Sequence, residues 1–467
     1  MRVDFLVVGA GPTGIGAAHN LAERGERFLL VDSDLRPGGL AKSVMDPNGF
    51  TWDMGGHVQF SHYELFDRFM DRALGHDGWL EHTRQSWIWI AGRFVPYPLQ
   101  KNLHRLPPRE QAACIQGLRG VSGDQAGKPA NFGAWITQTF GDGIAELFMV
   151  PYNLKTWAHP LELLGCQWVG DRVAMPAPAA VERAAETMDD SVDWGPNNTF
   201  RFPRSGGTGA VWVALAAELD QSRLRMGDGV ASIRPRTRTA RLASGLEIAY
   251  EHLVSTMPLD RLTELAELDD LAAVTARLRH STTHVVGVGL AGSPPPHLRA
   301  KNWMYFPESS SPFYRVTVFS NYSPHNVPSP GTWSLLAEVS ESQFKPVDRG
   351  RVVESVIDGM RATGLLTPES RIQSCWHTVL PYGYPIPTVD RDRLLGVALP
   401  ALDEMGMYSR GRFGAWKYEV GNQDHSFMQG WECIDRICSG SGPEAEVTLN
   451  QPDLVNSASR SPRTVAS

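Results

Sequence analysis

Apolar positions along this chain follow two rhythms, and the change from one to the other marks its parts. DFLVVGAGPTGIGAAHNLAERG opens with a short apolar run, Phe5 to Val8. It then passes three glycines into a helical spacing that carries Ala18 and Leu21 inward before Gly25. A second run, RFLLVD, ends on Asp32. From about 100 to 200 the period is helical, as in FGAWITQTFGDGIAELFMVPYN. From about 282, THVVGVGL, NWMYF, RVTVFSN and TWSLLAEVS alternate and predict the strands of an antiparallel sheet. Towards the end, YSRGRFGAWKYEVGNQDHSFMQGWECIDRIC predicts a strand, a glycine-rich loop and a helix from about Asn422, with Phe427, Trp431, Ile434 and Cys438 on one face.

Composition narrows the class. At 467 residues, 42% hydrophobic and 20% charged, the chain is globular and long enough for two or three domains. A net charge of -7, without a long basic stripe, argues against nucleic acid as a partner. FRFPR and GRFGAWKYE are too short to overturn that. The five cysteines are scattered with no C-x-x-C pair, which fits a reducing cytoplasm and neither a disulfide framework nor a zinc site. No leader pattern and no apolar run of membrane-spanning length is expected. SASRSPRTVAS (457 to 467) has the composition of a disordered tail.

The glycines bring in chemistry. Gly9, Gly11 and Gly14 stand in G-x-G-x-x-G spacing between strand and helix. The first serves the tight turn, the second a diphosphate's approach, the third helix–strand packing. Asp32 stands where a carboxylate accepts from an adenosine ribose hydroxyl; an acid there disfavours a 2′-phosphate, leaving FAD or NAD. Gly38 and Gly39 in RPGGLAKS, Gly55 and Gly56 in WDMGGHVQF, and Gly207 in RSGGTGA supply further bare backbone, which favours the longer FAD. The C-terminal helix can turn its N-terminus to an electron-rich flavin. The predicted class is therefore α/β: a Rossmann-like FAD-binding domain with an inserted helical domain and an antiparallel β-sheet domain.

GGHVQFSHYELFD puts His57 and His62 beside that bare backbone, five apart and without H-E-x-x-H spacing, so no metal pair is expected. Trp303 and Tyr305 share one strand face, and Arg315 shares another with Thr317 and Phe319. An arginine among aromatics suits an anion cleft; an exposed sheet face with a surface ion pair is the blander alternative. Phe148, Tyr152 and Trp157 at helical spacing suit a core, or one of them stacks on a base at a cleft edge.

GGHVQFSHYELFD, VPYPLQKN, LFMVPYNLKTWAHP, WVGDRVAMP, WGPNNTFRFPRSGGTG, MYFPESSSPFYRVTVFSNYSP and SRGRFGAWKYEVGNQDHSFMQG closely resemble the eukaryotic-type UDP-galactopyranose mutases, from about Val3 to Asn456. The resemblance implies an isomerase that interconverts the pyranose and furanose forms of UDP-galactose, with reduced FAD N5 as nucleophile on the anomeric carbon and no net redox change. It implies His57, Arg172 and Arg315 as catalytic, His57 at the flavin edge and the arginines clamping the diphosphate. A titratable imidazole near neutral pH would suit proton traffic there; a structural histidine capping the glycine turn is the alternative. Tyr305, Tyr384 and Tyr418 would hydrogen-bond the diphosphate. Tyr97, Gln100, Phe148, Asn153 and Trp157 would form the uridine pocket. Asn197 on a mobile flap, Arg84, Trp303 and Asn422 would line the site, and Arg412, Asn422, Gln423 and Ser426 would touch FAD.

The same resemblance implies an FAD-binding domain from residues 1–95, 201–260 and 391–456, a helical substrate domain with the flap over 96–200, and the sheet domain over 261–390. NADPH is the expected reductant, the partner a nucleotide sugar without nucleic acid or membrane, with a homo-oligomer open. The chain is compact between NYSPHN and TWSLL, and HTVLPYGYP departs from the family pattern, which leaves a mutase for another nucleotide sugar open. An FAD-dependent amine or porphyrinogen oxidase is the main rival, and a flavin-binding protein without turnover the third reading.

Overall fold

The computed structural model describes residues 1–121, 128–170, 173, 190 and 198–457. Five parallel strands form one sheet in the order Met407–Ser409, His252–Ser255, Phe5–Val8, Phe28–Asp32, Leu224–Met226. Its adjacent strands Phe5–Val8 and Phe28–Asp32 are apolar as far as Val8 and Val31, because both faces are covered there. Phe5 and Val7 face the core that contains Cys433 and Ile434 of the helix Gln423–Ser439. Leu6 and Val8 face a second core, filled by Ile233, Ala240 and Ile248 of a three-stranded sheet and by Leu394, Ala398 and Leu402 of the helix Arg391–Glu404. The helices Pro12–Arg24 and Gln423–Ser439 cross at backbone contact. A Cβ on Gly430 would fall on the Thr13 carbonyl, and one on Gly16 on the Phe427 carbonyl.

A seven-stranded sheet runs Ile372–Ile386, Arg279–Ala291, Thr332–Glu341, Arg315–Val318, Trp303–Tyr305, Ser86–Ile90, Arg93–Pro96. Its neighbours are antiparallel except Trp303–Tyr305 beside Ser86–Ile90, which is parallel. The expected boundaries at 95 and 261 shift accordingly. Residues 86 to 96 add two strands to this sheet, while Leu262, Ala266 and Leu278 pack in the parallel sheet's core. The strand beginning at Arg315 ends at Val318, where RVTVFSN bends into a 3-10 turn.

In VVGVG the alternation is between large and absent side chains rather than between core and solvent. Gly287 lies against the Trp52 ring and Gly289 against Phe50, while Val286 and Val288 pack with Val356 and Met360 of the helix Val352–Ala362. The helices Pro108–Arg119, Phe132–Ile144 and Val150–Trp157 enclose a third core, into which the sheet sends Ile88, Ile90 and Val95. Among the described residues no helix is long and apolar enough to cross a membrane. Ser457 ends a short helix, and the rest of the expected tail lies outside the described residues.

Candidate active site

One cavity of about 870 Å³ runs from the turn after Phe5–Val8 to the face of the seven-stranded sheet. Gly9, Gly11, Asp32 and Gly39 line its first end. Asp32 accepts the N–H groups of Ala10 (2.6 Å) and Asp34 (2.7 Å), and burial raises its pKa. Gly38 donates its N–H to Ala10 (2.8 Å), folding the RPGG turn over the fingerprint. Gly14 is not in the lining; it lies against the Gly9 carbonyl and sets the strand–helix distance. Gly207 is also outside, turned towards Ser43 and Asp53 at φ 64°. There Asp53 accepts from Thr208 N (3.1 Å) and Oγ1 (2.6 Å), tying the strand that leads to His57 to the RSGGTG loop. Burial pushes the Asp53 carboxyl up to about 7. Bare peptide at the fingerprint, a carboxylate at the strand end and a long cavity leading away suit FAD, and Gly9, Gly11, Asp32 and Gly39 would hold its adenosine diphosphate half.

Gly55–His57 meets the sheet at the middle of the cavity. Three residues stand in register across adjacent strands there, Tyr305 opposite Arg315 and Arg315 opposite Glu338. Arg315 grips Glu338 with two parallel bonds, Nε to Oε1 at 2.7 Å and Nη2 to Oε2 at 2.8 Å. Glu338 also accepts the Gly56 N–H (3.0 Å) and the Tyr314 hydroxyl (2.6 Å). A side chain at Gly56 would strike Thr317 and Glu338, which explains the bare backbone before His57. Burial opposes the Glu338 charge, but the Arg315 guanidinium outweighs it and holds the carboxyl below its usual range.

His57 lines the cavity, and its buried Nδ1 has no hydrogen-bond partner among the described residues. Burial lowers its pKa to about 4, with Glu338 opposing and Arg315 and Arg412 reinforcing the shift. The imidazole is therefore neutral at neutral pH, not partly protonated as an unperturbed ring would be.

Arg84, Tyr97, Trp303, Tyr305, Tyr384, Tyr418 and Arg412 line the sheet end. Trp303 Nε1 donates to the Tyr305 hydroxyl (2.6 Å), Tyr97 packs on Tyr305 (5.1 Å between centroids), and Arg84 lies over Tyr97. Arg412 donates to the Gly383 and Gly421 carbonyls and lies over the Tyr384 and Tyr418 rings. Asn422, Gln423 and Ser426, at the start of the C-terminal helix, line the middle.

The rest of the expected uridine pocket stands behind this wall. Phe148, Asn153, Trp157 and Gln100 are buried and outside the lining. Phe148 stacks on Tyr152 (5.3 Å), Asn153 Oδ1 takes the Trp157 indole N–H (3.2 Å), and Trp157 meets Tyr384 and Tyr418 edge-on. Arg172 and Asn197 lie outside the described residues.

Glu338 and Tyr314 are missing from the sequence-derived set. The available signal was an acid inside the apolar run TWSLLAEVS, but only the strand register shows which cation it faces. His62, Asp424 and His425 also gather. His62 donates its backbone N–H to Asp424 (3.0 Å), and its ring stacks on His425 at 4.7 Å. Stacked imidazoles point their lone pairs along parallel planes, which opposes a shared metal and leaves the trio as a clasp between GGHVQFSHY and the helix start.

A match to the flavin-containing amine oxidoreductase family spans residues 12–415. The solved structure of a reduced UDP-galactopyranose mutase superposes with a TM-score of 0.94, at 45% identity over 98% of both chains. A protein assigned as a protoporphyrinogen oxidase, from Exiguobacterium sp., shares the fold at a TM-score of 0.69, with 17% identity over 94% of this chain and 99% of its own. A ferredoxin–NADP reductase of Saccharopolyspora erythraea is 37% identical over 76 residues, 16% of this chain and 23% of the reductase.

Proposed function

Because this chain belongs to the flavin-containing amine oxidoreductase family, and within it to the UDP-galactopyranose mutases it matches over nearly its whole length, we propose that it interconverts UDP-galactopyranose and UDP-galactofuranose. The observation that carries the reading is Arg315: a guanidinium set among Tyr305, Tyr384 and Tyr418 in the same cavity that the glycine fingerprint and Asp32 line. Bound in its reduced form, FAD would supply the nucleophile for the anomeric carbon, with no net redox change.

The chain's own residues bind, orient and hold charge. Arg315 has five N–H donors and gives two to Glu338, leaving three for diphosphate oxygens. Arg172 would complete the clamp, and Asn197 would close over it. Together the arginines would stabilise the charge of departing UDP and fix the sugar over the flavin. The hydroxyls of Tyr305, Tyr384 and Tyr418 would donate to the same oxygens; burial raises the pKa of Tyr305 and Tyr384, which keeps them protonated donors. Tyr97 stands at the mouth of the proposed uridine pocket, whose deeper members Phe148, Asn153, Trp157 and Gln100 would support the base through the wall they back. His57 would offer a neutral imidazole to the flavin edge. NADPH is the proposed reductant, and a cytoplasmic setting and a homo-oligomer belong to the same reading.

The test is anaerobic conversion of UDP-galactofuranose with and without dithionite, followed by chromatography. Product is expected only with reductant. Oxygen consumption with an amine or porphyrinogen and no sugar product would instead place the chain with the oxidases. A reducible, FAD-bound protein inert towards UDP-galactofuranose would redirect the proposal to another nucleotide sugar.

The lowered His57 pKa makes a second prediction. Because kcat/KM reports the ionisations of the free enzyme, it should carry no acid limb from His57 between about pH 5 and pH 8. A limb near pH 6.5 that disappears in His57→Asn would show that the ring is solvated.

A further inference from the structure

Glu338 makes four hydrogen bonds in the cavity wall, and it belongs to neither side of the proposed reaction. All four of its lone-pair positions are filled. Oε1 takes Gly56 N–H and Arg315 Nε, and Oε2 takes the Tyr314 hydroxyl and Arg315 Nη2. The side chain is buried, and its strand is fixed on both flanks, by Arg279–Ala291 and by Arg315–Val318. One of its contacts leads to the segment that carries His57. Another leads to the proposed anion-binding arginine.

Resting on the mutase reading, we infer that Glu338 is a positioning residue that holds Arg315 and the Gly55–His57 segment in one frame, so that a diphosphate bound at Arg315 is registered at the flavin. The carboxylate fixes the Nε–Nη2 edge of the guanidinium and so turns the remaining N–H groups into the cavity. It also neutralises part of the Arg315 charge, which moderates the hold on UDP. Holding UDP equally well in the ground state and the transition state adds nothing to kcat, so a moderated hold costs no turnover. By clamping the Gly56 amide, the same carboxylate fixes where the His57 backbone leaves the strand.

The two effects have opposite signs in binding and turnover, and that split distinguishes positioning from general support. Glu338→Gln keeps the shape and one acceptor but removes the charge that offsets Arg315. The variant should retain FAD and bind UDP at least as tightly as wild type, with a gain of up to about tenfold, the repulsion of a like charge roughly 10 Å away at an effective dielectric of about 20. Its kcat in dithionite should fall about a hundredfold, as expected when reacting groups lose alignment. The change in flavin reduction potential produced by UDP should be smaller than in wild type.

Equilibrium binding of UDP, potentiometric titration with and without UDP, and kcat test these expectations. UDP affinity and turnover falling by the same factor would mean a purely structural ion pair and overturn the inference, as would a potential change and kcat equal to wild type. If Glu338→Gln does not hold FAD, Tyr314→Phe removes one of the four bonds and keeps the charge, so kcat should fall severalfold with UDP affinity no higher than in wild type; a wild-type kcat there would overturn the inference as well. Wild-type protein that holds FAD but does not bind UDP would defeat the mutase reading and this inference together. UDP binding in wild type without these changes in the variants defeats the inference alone.

Discussion

Gly14→Ala is expected to give a protein that is destabilised and free of FAD, whereas Gly11→Ala should fold normally and lose only affinity for FAD. The two glycines sit three residues apart, Gly11 capping the helix and Gly14 in its first turn, and face different neighbours. A Cβ at Gly14 would fall within bonding distance of the Gly9 carbonyl oxygen, so either the helix Pro12–Arg24 leaves the strand or the turn at Gly9 opens. Backbone cannot yield as a side chain can, and the cost should reach about 3 kcal/mol, the upper end of ordinary overpacking.

Gly11 has φ -76° and ψ -177°, which alanine adopts freely, and the nearest atom to its Cβ is Gly39 Cα at 3.8 Å. Its methyl group would enter the cavity where a diphosphate needs bare peptide. Losing one or two N–H bonds to a charged oxygen should weaken FAD binding by about ten- to a hundredfold. Urea unfolding of the flavin-free proteins and flavin-to-protein ratios check the pair. A Gly11→Ala protein with wild-type affinity for FAD would remove the diphosphate from this turn.

Features set by neighbours in sequence were legible before the structure. The glycine turn lies between one strand and one helix, the C-terminal helix starts at Gln423 with Asn422 as its cap, and the strands around Tyr305 and Arg315 follow from alternation. Features set by register across distant segments were not. Glu338 meets Gly56 across 282 positions of chain, and nothing near either residue announces the other. The pair Ser86–Ile90 and Arg93–Pro96 reads as a continuation of the first domain, and only its parallel pairing with Trp303–Tyr305 makes it part of the sheet.

The state of the His57 ring is set by distant segments for a related reason. A titratable imidazole suited the role implied by the resemblance, whereas burial, with Arg315 and Arg412 nearby, lowers the His57 pKa and favours the neutral ring at neutral pH. The aromatic spacing of Phe148, Tyr152 and Trp157 carried two readings, a core or a ring at a cleft edge, and the burial of Phe148 and Trp157 fits the first. Phe148 and Trp157 are buried in the core, while Trp157 backs two tyrosines that line the cavity.

Replacing Arg315 by Ala should cost turnover and stability at once, and a second substitution separates the two losses. The single variant leaves Glu338 buried with the Gly56 N–H and the Tyr314 hydroxyl but no cation. Removing one member of a buried pair strands the other, at about 3–5 kcal/mol. A fall in activity alone would then be ambiguous, since a partly unfolded protein also turns over slowly. Arg315→Met combined with Glu338→Gln removes both charges, keeps an acceptor for Gly56 and fills similar volume. Neutralising a buried pair as a unit is often nearly neutral, so most of the lost stability should return. Turnover should not return. A diphosphate leaving group without its guanidinium loses charge stabilisation worth roughly a thousandfold in rate, on the scale of removing one preorganised donor. Urea unfolding and kcat under dithionite, measured on the single and double variants, decide the matter. If turnover recovers along with stability in the double variant, Arg315 serves only as the counter-ion of Glu338, and the diphosphate must be held elsewhere.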